Sequence, residues 1–345
     1  MPTDRRGFLK SSALIAGASA MGSVPMSDAL ETLREPLAPN EFKTKLLECL
    51  GGQWPDPCDL ESQVKREEQK DGYRLQWLDY AVEHGDRVPA ILLIPDGVSS
   101  TSPAAAIAIW HQHAGQWHLG KTEPAGLAGN PMHHTGVALA KLGYVVLCPD
   151  ALCFEERQDP EGKLKGSGYE RFEFLRQVVD GRCMAWKNIL DMRRAVDCLV
   201  SRPEVDTDRL GCYGHSMGST HTWLVGPWEP RLKALVGNCC LPTYEAIHRT
   251  KLLHCFPNFI PGIYAHGDTP DVAGLIAPRA LHLNFGETDR GSPIQEVRSG
   301  IERIAAIYAQ GNAADQFTSF IEADTGHVLS DAMWLRTQAT FAKHL

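Results

Sequence analysis

From Tyr73 onward, short apolar runs alternate with amphipathic stretches. Tyr73 to Glu83 sets Leu75, Trp77, Leu78, Tyr80 and Val82 among polar neighbours, as a strand with one covered face would. Gly85-Asp86 reads as a turn and Val88 to Ile94 follows, which predicts an antiparallel hairpin at the edge of a sheet. The next runs are mostly apolar: Ala104 to Trp110, Tyr144 to Cys148, Leu210 to Tyr213, Ala234 to Gly237, Ala280 to Phe285 and Phe317 to Ile321. Such strands are covered by helices on both faces. Helical spacing separates most of them, over Thr135 to Leu142, Trp186 to Val200, Pro293 to Tyr308 and Met333 to His344. In the second of these, Ile189, Met192, Ala195, Val196 and Leu199 share one face. The alternation predicts an α/β fold, a doubly wound, mostly parallel eight-stranded sheet with helices on both faces. The longest irregular stretches, 111–134, 149–182 and 241–279, all follow strands at the same end of that sheet.

Before Tyr73 the pattern differs, and three segments are predicted: 1–26, 27–72 and 73–345. Residues 27–72 read as an N-terminal helical lead, broken near Gly51-Gly52 and Pro55 to Pro57, with a polar stretch from Glu61 to Lys70 facing solvent. In residues 1–26, Asp4-Arg5-Arg6-Gly7-Phe8-Leu9-Lys10 resembles a twin-arginine export signal. A short apolar stretch, Ala13 to Ala18, and an Ala18-Ser19-Ala20 cleavage site follow. The resemblance implies the twin-arginine export machinery as a partner and a periplasmic or extracellular location. No other stretch approaches ~20 apolar residues, so no stable membrane insertion is expected after processing.

Composition narrows the functional classes. A hydrophobic content of 43% over 345 residues supports a large core. A net charge of -8, with no basic run beyond Lys65-Arg66, argues against nucleic acid as a partner. Ten cysteines are present without a C-x-x-C, so a structural zinc site is not expected. Cys148, Cys212, Cys239 and Cys240 fall in or beside apolar runs and read as small buried hydrophobes. Pairing of Cys49 with Cys58 stays open.

The candidate chemistry centres on Gly214-His215-Ser216-Met217-Gly218, directly after the strand-like run Arg209 to Tyr213. G-x-S-x-G in that setting places a serine on a sharp strand-to-helix turn, its hydroxyl pushed out at the end of the sheet. A serine nucleophile needs a base, an acid to orient the base and donors for the oxyanion. His327 follows the last predicted strand beside Gly326 and is the candidate base among 14 histidines. Asp289, in the loop after Ala280 to Phe285, is the candidate acid, with Glu287 its rival. For the oxyanion, the backbone N–H of Met217 and one from Gln112 or His113 are the candidates. His111 and His113, joined by His118, His133 or His134, would be the alternative metal site. No carboxylate or cysteine completes that set at ligand spacing, so no metal is expected.

These residues carry a family resemblance over about four-fifths of the chain. The stretch from Tyr73 to the C-terminus resembles the α/β-hydrolase superfamily, and within it the dienelactone-hydrolase and acetyl-xylan-esterase-like branch. Arg87-Val88-Pro89-Ala90-Ile91-Leu92-Leu93-Ile94-Pro95 is similar to that group's opening hairpin, and His111-Gln112-His113-Ala114-Gly115 to its oxyanion loop. Asp150 with Glu155-Glu156-Arg157 resembles its strand-four loop. Arg202-Pro203-Glu204-Val205-Asp206 leading to the GHSMG elbow is the strongest match. Dienelactone hydrolases proper use a cysteine nucleophile, whereas position 216 is serine. The resemblance implies an exported serine esterase that needs no cofactor and acts on small-molecule or glycan esters. Trp110, Trp117, Trp186 and His215 are the candidate substrate contacts, and Lys121 and Arg157 are cations that could meet a substrate carboxylate. Two rival classes are a prolyl-oligopeptidase-like peptidase and a non-catalytic glycan-binding protein on the same fold.

Overall fold

The computed structural model describes residues 37–345, so the signal segment and the start of the lead lie outside the described residues. In chain order the main elements are α1 (Pro39–Leu50), β1 (Gln63–Lys70), β2 (Tyr73–Glu83), β3 (Asp86–Pro95), β4 (Ala104–Trp110), α2 (Thr135–Lys141) and β5 (Val145–Pro149). They continue with α3 (Ser167–Val179), α4 (Met184–Val200), β6 (Val205–His215), α5 (Met217–Val225), β7 (Leu232–Asn238) and α6 (Tyr244–Thr250). The last are α7 (Thr269–Gly274), β8 (Ala280–Gly286), α8 (Ile294–Gln310), β9 (Phe317–Glu322) and α9 (Asp331–His344).

The strands form one mixed sheet in the order β1-β2-β3-β5-β4-β6-β7-β8-β9. Pairings from β1 to β5 along one edge are antiparallel, and all those from β5 through β9 are parallel. The sheet therefore has nine strands, where eight were expected. The extra one is β1, in the stretch read as the polar end of a helical lead. It is solvent-facing along most of its length, as expected, but it pairs with β2 from Gln63↔Asp79 to Lys70↔Tyr73. A charged edge strand buries almost no side chain, so it carries none of the apolar alternation that marks a strand.

Consecutive residues of the central strands go to opposite faces, and both faces are covered. In β4, Ala106, Ala108 and Trp110 join one core while Ile107 and Ile109 join the other. β3 divides in the same way, with Leu92 and Ile94 against Ile91 and Leu93. Residues from α1, α4, α5, α7 and α8 pack the first face, and residues from α2 and α9 the second. Each of these fully buried Leu and Ile side chains contributes about 1.5–3 kcal/mol. Truncating Leu92 to Ala would cost ~2–5 kcal/mol through the cavity it leaves.

The sheet order also locates the site. The chain runs from β4 to β5 on one side and then crosses to β6 on the other, so β4 is the switch point. Loops after β4 and β6 diverge there and leave a crevice at the carboxyl ends of the strands. Two of the stretches expected to be irregular carry helices, α3 within 149–182 and α6 and α7 within 241–279. α3 escaped notice because its apolar residues do not form one buried stripe. Phe172, Leu175, Val178 and Val179 stay exposed.

Candidate active site

Ser216 sits between β6 and α5 with φ 57° and ψ -119°, outside the ordinary regions for an L-residue. Two close approaches impose this turn. A Cβ on Gly214 would run into the backbone of Gly218, and one on Gly218 into the carbonyl of Trp110. The second contact draws the end of β4 against the start of α5, bringing the predicted oxyanion loop to the serine. The Ser216 N–H donates to the Asn238 carbonyl at 2.8 Å, which fixes the elbow to the end of β7.

The predicted base and acid meet the serine. His327 Nε2 lies 2.8 Å from Ser216 Oγ, and His327 Nδ1 lies 2.7 Å from Asp289 Oδ2. The other Asp289 oxygen accepts the Gly291 N–H at 2.8 Å. Asp289 is buried, whereas the imidazole is 39% exposed and open to solvent on one side. Glu287, the rival acid, instead pairs with Arg298 at 3.1 Å. The loops carrying the pair are held together by Glu287 N–H to Glu322 O and Thr288 N–H to Thr325 O. Gly286 permits this approach, since a Cβ there would strike the Thr325 and Gly326 carbonyls.

The three lie along a cleft of about 900 Å³ that is also lined by His113, Trp117, Glu170, His254, Phe256 and Arg290. Met217 begins α5, so its backbone N–H is one of the unpaired donors of a helix N-terminus. His113 lines the cleft, while the Gln112 side chain turns away to donate to Glu123 at 2.9 Å. The Gly115 N–H donates to His113 Nδ1, which leaves Nε2 to donate to the Glu170 carboxylate at 2.9 Å. Trp117 Nε1 donates to the same carboxylate at 2.7 Å. Glu170 thus clasps the loop from α3. Sequence reading missed it, since nothing distinguishes it from the other acidic residues of that polar helix.

The candidate substrate contacts divide. Trp117 lines the cleft. Trp110 and Trp186 do not: both are core residues, and Trp186 donates to Gly52 O and lies face to face with Trp54. His215 is also buried, with its ring between His133 at 4.7 Å and His327 at 5.1 Å. Its Nδ1 contacts Asn238 Nδ2 at 2.7 Å. Burial, followed by the neighbouring imidazoles His133 and His327, pushes His215 well below the usual range, so it stays neutral beside the His327 ring. Lys121 and Arg157 are buried in ion-pair networks away from the cleft lining. Of the histidines weighed as metal ligands, His111 bridges Gln112 O and the Ala151 N–H, and burial pushes it down to about 4. All ten cysteines are free.

Among the described residues, no helix is long and apolar enough to cross a membrane. Residues 122–251 match the Dienelactone hydrolase family. YtaP of Bacillus subtilis (strain 168), provisionally named a hydrolase, is 28% identical over 83% of this chain and 93% of its own. Two solved structures share the fold at low identity. A Bacteroides fragilis NCTC 9343 protein, provisionally named an acetyl xylan esterase, superposes with TM-score 0.67 at 17% identity, over 86% of this chain and 81% of that one. The glucuronoyl esterase from Solibacter usitatus superposes with TM-score 0.63 at 15% identity, over 88% and 91%. The chain therefore carries a stretch similar to the dienelactone hydrolase family, within a fold shared with an acetyl xylan esterase-like protein and a glucuronoyl esterase.

Proposed function

We propose that this protein is an exported serine esterase acting on carboxylic esters, with acylated carbohydrates as the substrate class. The observation that carries the reading is the continuous contact from Asp289 through His327 to Ser216, on an elbow that holds the hydroxyl at the mouth of the cleft. Ser216 Oγ attacks the ester carbonyl as His327 Nε2 takes its proton, and Asp289 stabilises the imidazolium. The N–H groups of Met217 and of Gln112 or His113 face the oxyanion, each worth roughly 3 kcal/mol in the transition state. His327 returns its proton to the leaving alcohol, and water then repeats the steps on the acyl-enzyme. Ester rather than amide hydrolysis is favoured by the family match and the esterase fold relatives. The glycan preference rests on the names of those relatives and on Trp117 in the cleft, a flat apolar surface for a sugar ring.

The test uses short-chain p-nitrophenyl esters, the matching anilides and a fluorophosphonate probe. Wild type is expected to cleave the esters and take the label, and Ser216→Ala to do neither. Hydrolysis or labelling that survives in Ser216→Ala would remove Ser216 as nucleophile. Anilides cleaved as fast as esters would turn the reading to an amidase, and an acetylated-glycan panel with no turnover would remove the carbohydrate assignment. Export is tested by locating the full-length protein and an Arg5→Lys/Arg6→Lys variant in cell fractions. Equal export of both would set the signal aside.

A further inference from the structure

Among the described residues, two clusters bring three metal-ligating groups together. Asp150, Glu155 and Glu156 form one, and the Lys121 ammonium already fills it, 2.6–2.8 Å from all three. The other is Cys239 with Asp289 and His327, whose ligand atoms all lie within 4.8 Å of one another. Cys239 directly follows β7 and holds φ 56°, a backbone conformation costly for a non-glycine residue. Its N–H donates to Asn284 O at 2.8 Å, which fixes the residue behind the triad. Its thiol donates to the Val328 carbonyl at 3.3 Å and accepts from Asn238 Nδ2 at 3.4 Å.

We propose that Cys239, His327 and Asp289 form an inhibitory site for a thiophilic divalent cation of the zinc class. The inference rests on the triad reading above. Thiolate, imidazole and carboxylate are the three ligand types zinc takes, with bonds of about 2.0–2.3 Å, and shifts on the order of 1 Å would close this cluster around an ion. Asp289, His327 and Gly291 all line the cleft, which gives an ion a side from which to reach the pair. A Cβ on Gly291 would stand 3.2 Å from Asp289 Oδ1 and 3.9 Å from His327 Nδ1.

The proton balance explains inhibition. His327 Nε2 faces Ser216, so Nδ1 is the nitrogen turned toward Asp289 and available to the ion. A cation on Nδ1 displaces the proton held there, which passes to Nε2 by way of solvent, so the imidazole stays neutral as its other tautomer. Nε2 can then no longer accept from Ser216. The Cys239 thiol loses its proton to solvent, and nothing is oxidised or reduced. The cation also takes the Asp289 oxygen that orients the ring.

The experiment adds ZnCl2 to the chelator-treated protein and follows p-nitrophenyl ester hydrolysis and fluorophosphonate labelling. Both are expected to fall with added zinc and to return with EDTA. Cys239→Ala and Cys239→Ser are expected to turn over and label like wild type without metal, yet to need about 10- to 100-fold more zinc for the same loss. CoCl2 should give wild type a thiolate-to-cobalt absorption band that Cys239→Ala lacks. Equal zinc sensitivity in both variants and wild type, or a cobalt spectrum without that band, would overturn the site. The cobalt spectrum needs no turnover. It therefore reports the site even where Ser216→Ala shows that hydrolysis does not depend on Ser216.

Discussion

Two groups of charged and polar side chains lie near the carboxyl ends of the central strands, and they are finished differently. In the first, Lys121 meets Asp150, Glu155 and Glu156, while Arg157 and Lys187 share Asp86 and Asp191. There every cation has two or more carboxylates, and Lys121, Asp150 and Arg157 are almost wholly withdrawn from water. In the second, Asp289 has one titratable partner, His327, whose far nitrogen faces a hydroxyl in an open cleft. Saturation makes the first group a clamp: its charges have no free valence for a substrate. The second is left one proton short of saturation, which is what a general base requires. The contrast separates structural from chemical charge more sharply than burial does, since Asp289 is as buried as Arg157.

The largest effect should fall on the unsaturated group. His327→Ala or Asp289→Asn is expected to lower kcat/KM by about 10⁴-fold, because the ring is lost or held in the wrong tautomer. Thermal unfolding should move little, since His327 is partly exposed. A large Tm loss with retained kcat/KM would reverse the comparison. Lys121→Met should do the opposite. It strands Asp150 in the interior and should cost ~3–5 kcal/mol by chemical denaturation, while the folded fraction keeps its turnover. Burial pushes the Asp150 carboxyl up to about 7, against the pull of Lys121, so in acid the stranded group can escape by protonating. The Lys121→Met deficit should therefore be larger at pH 9 than at pH 6, and a deficit independent of pH would count against Asp150 as its source.

Most of this division was legible in the sequence, and the reasons are particular. Ser216, Asp289 and His327 each follow a separate apolar strand, so reading the strands located the loops and the loops located the residues. The central parallel strands were visible because burial on both faces makes them nearly continuously apolar. β1 was not, because an edge strand of Gln, Lys, Arg and Glu shows no face at all. Trp110 and Trp186 looked like cleft aromatics because an aromatic's direction depends on which face of its element it occupies, and both fall on covered faces. The saturated network was invisible for a different reason. Lys121 and Asp150 are 29 positions apart, and only the fold brings them into contact.

Acid should separate the two groups by mechanism. His327 must be unprotonated to accept from Ser216, so kcat/KM is expected to fall as the pH drops while the fold persists. Stability goes by other groups. Burial alone would raise Asp86 and Glu155, but Arg157 and Lys187 outweigh it for Asp86, and Lys121 with Thr122 does so for Glu155, so both are depressed. A depressed carboxylate contributes stability above its unfolded value, here 3.8 and 4.5, and withdraws it as the pH falls through the lower folded value. Activity should thus be lost on acidification and recovered reversibly, with circular dichroism unchanged. Coincident loss of both signals would show that the charged clamp, not the base, sets the acid limit.

The smallest predicted effect lies where the two kinds of charge meet, at Glu170. It is buried like a clamp residue and has its two side-chain donors, His113 and Trp117, yet it lines the cleft. If it positions the oxyanion loop, its loss should appear in the transition state rather than in substrate binding. Glu170→Gln can keep an oxygen where His113 and Trp117 both donate, but it carries no charge for the His113 ring and sets an amide N–H2 against its Nε2–H. It is expected to lower kcat roughly 10-fold with KM within about twofold, and Glu170→Asp should recover part of that loss. A KM rise at unchanged kcat would make Glu170 a substrate contact. An unchanged kcat and KM with a lowered Tm would return it to the clamp, its ties to His113 and Trp117 serving only to hold α3 against the loop.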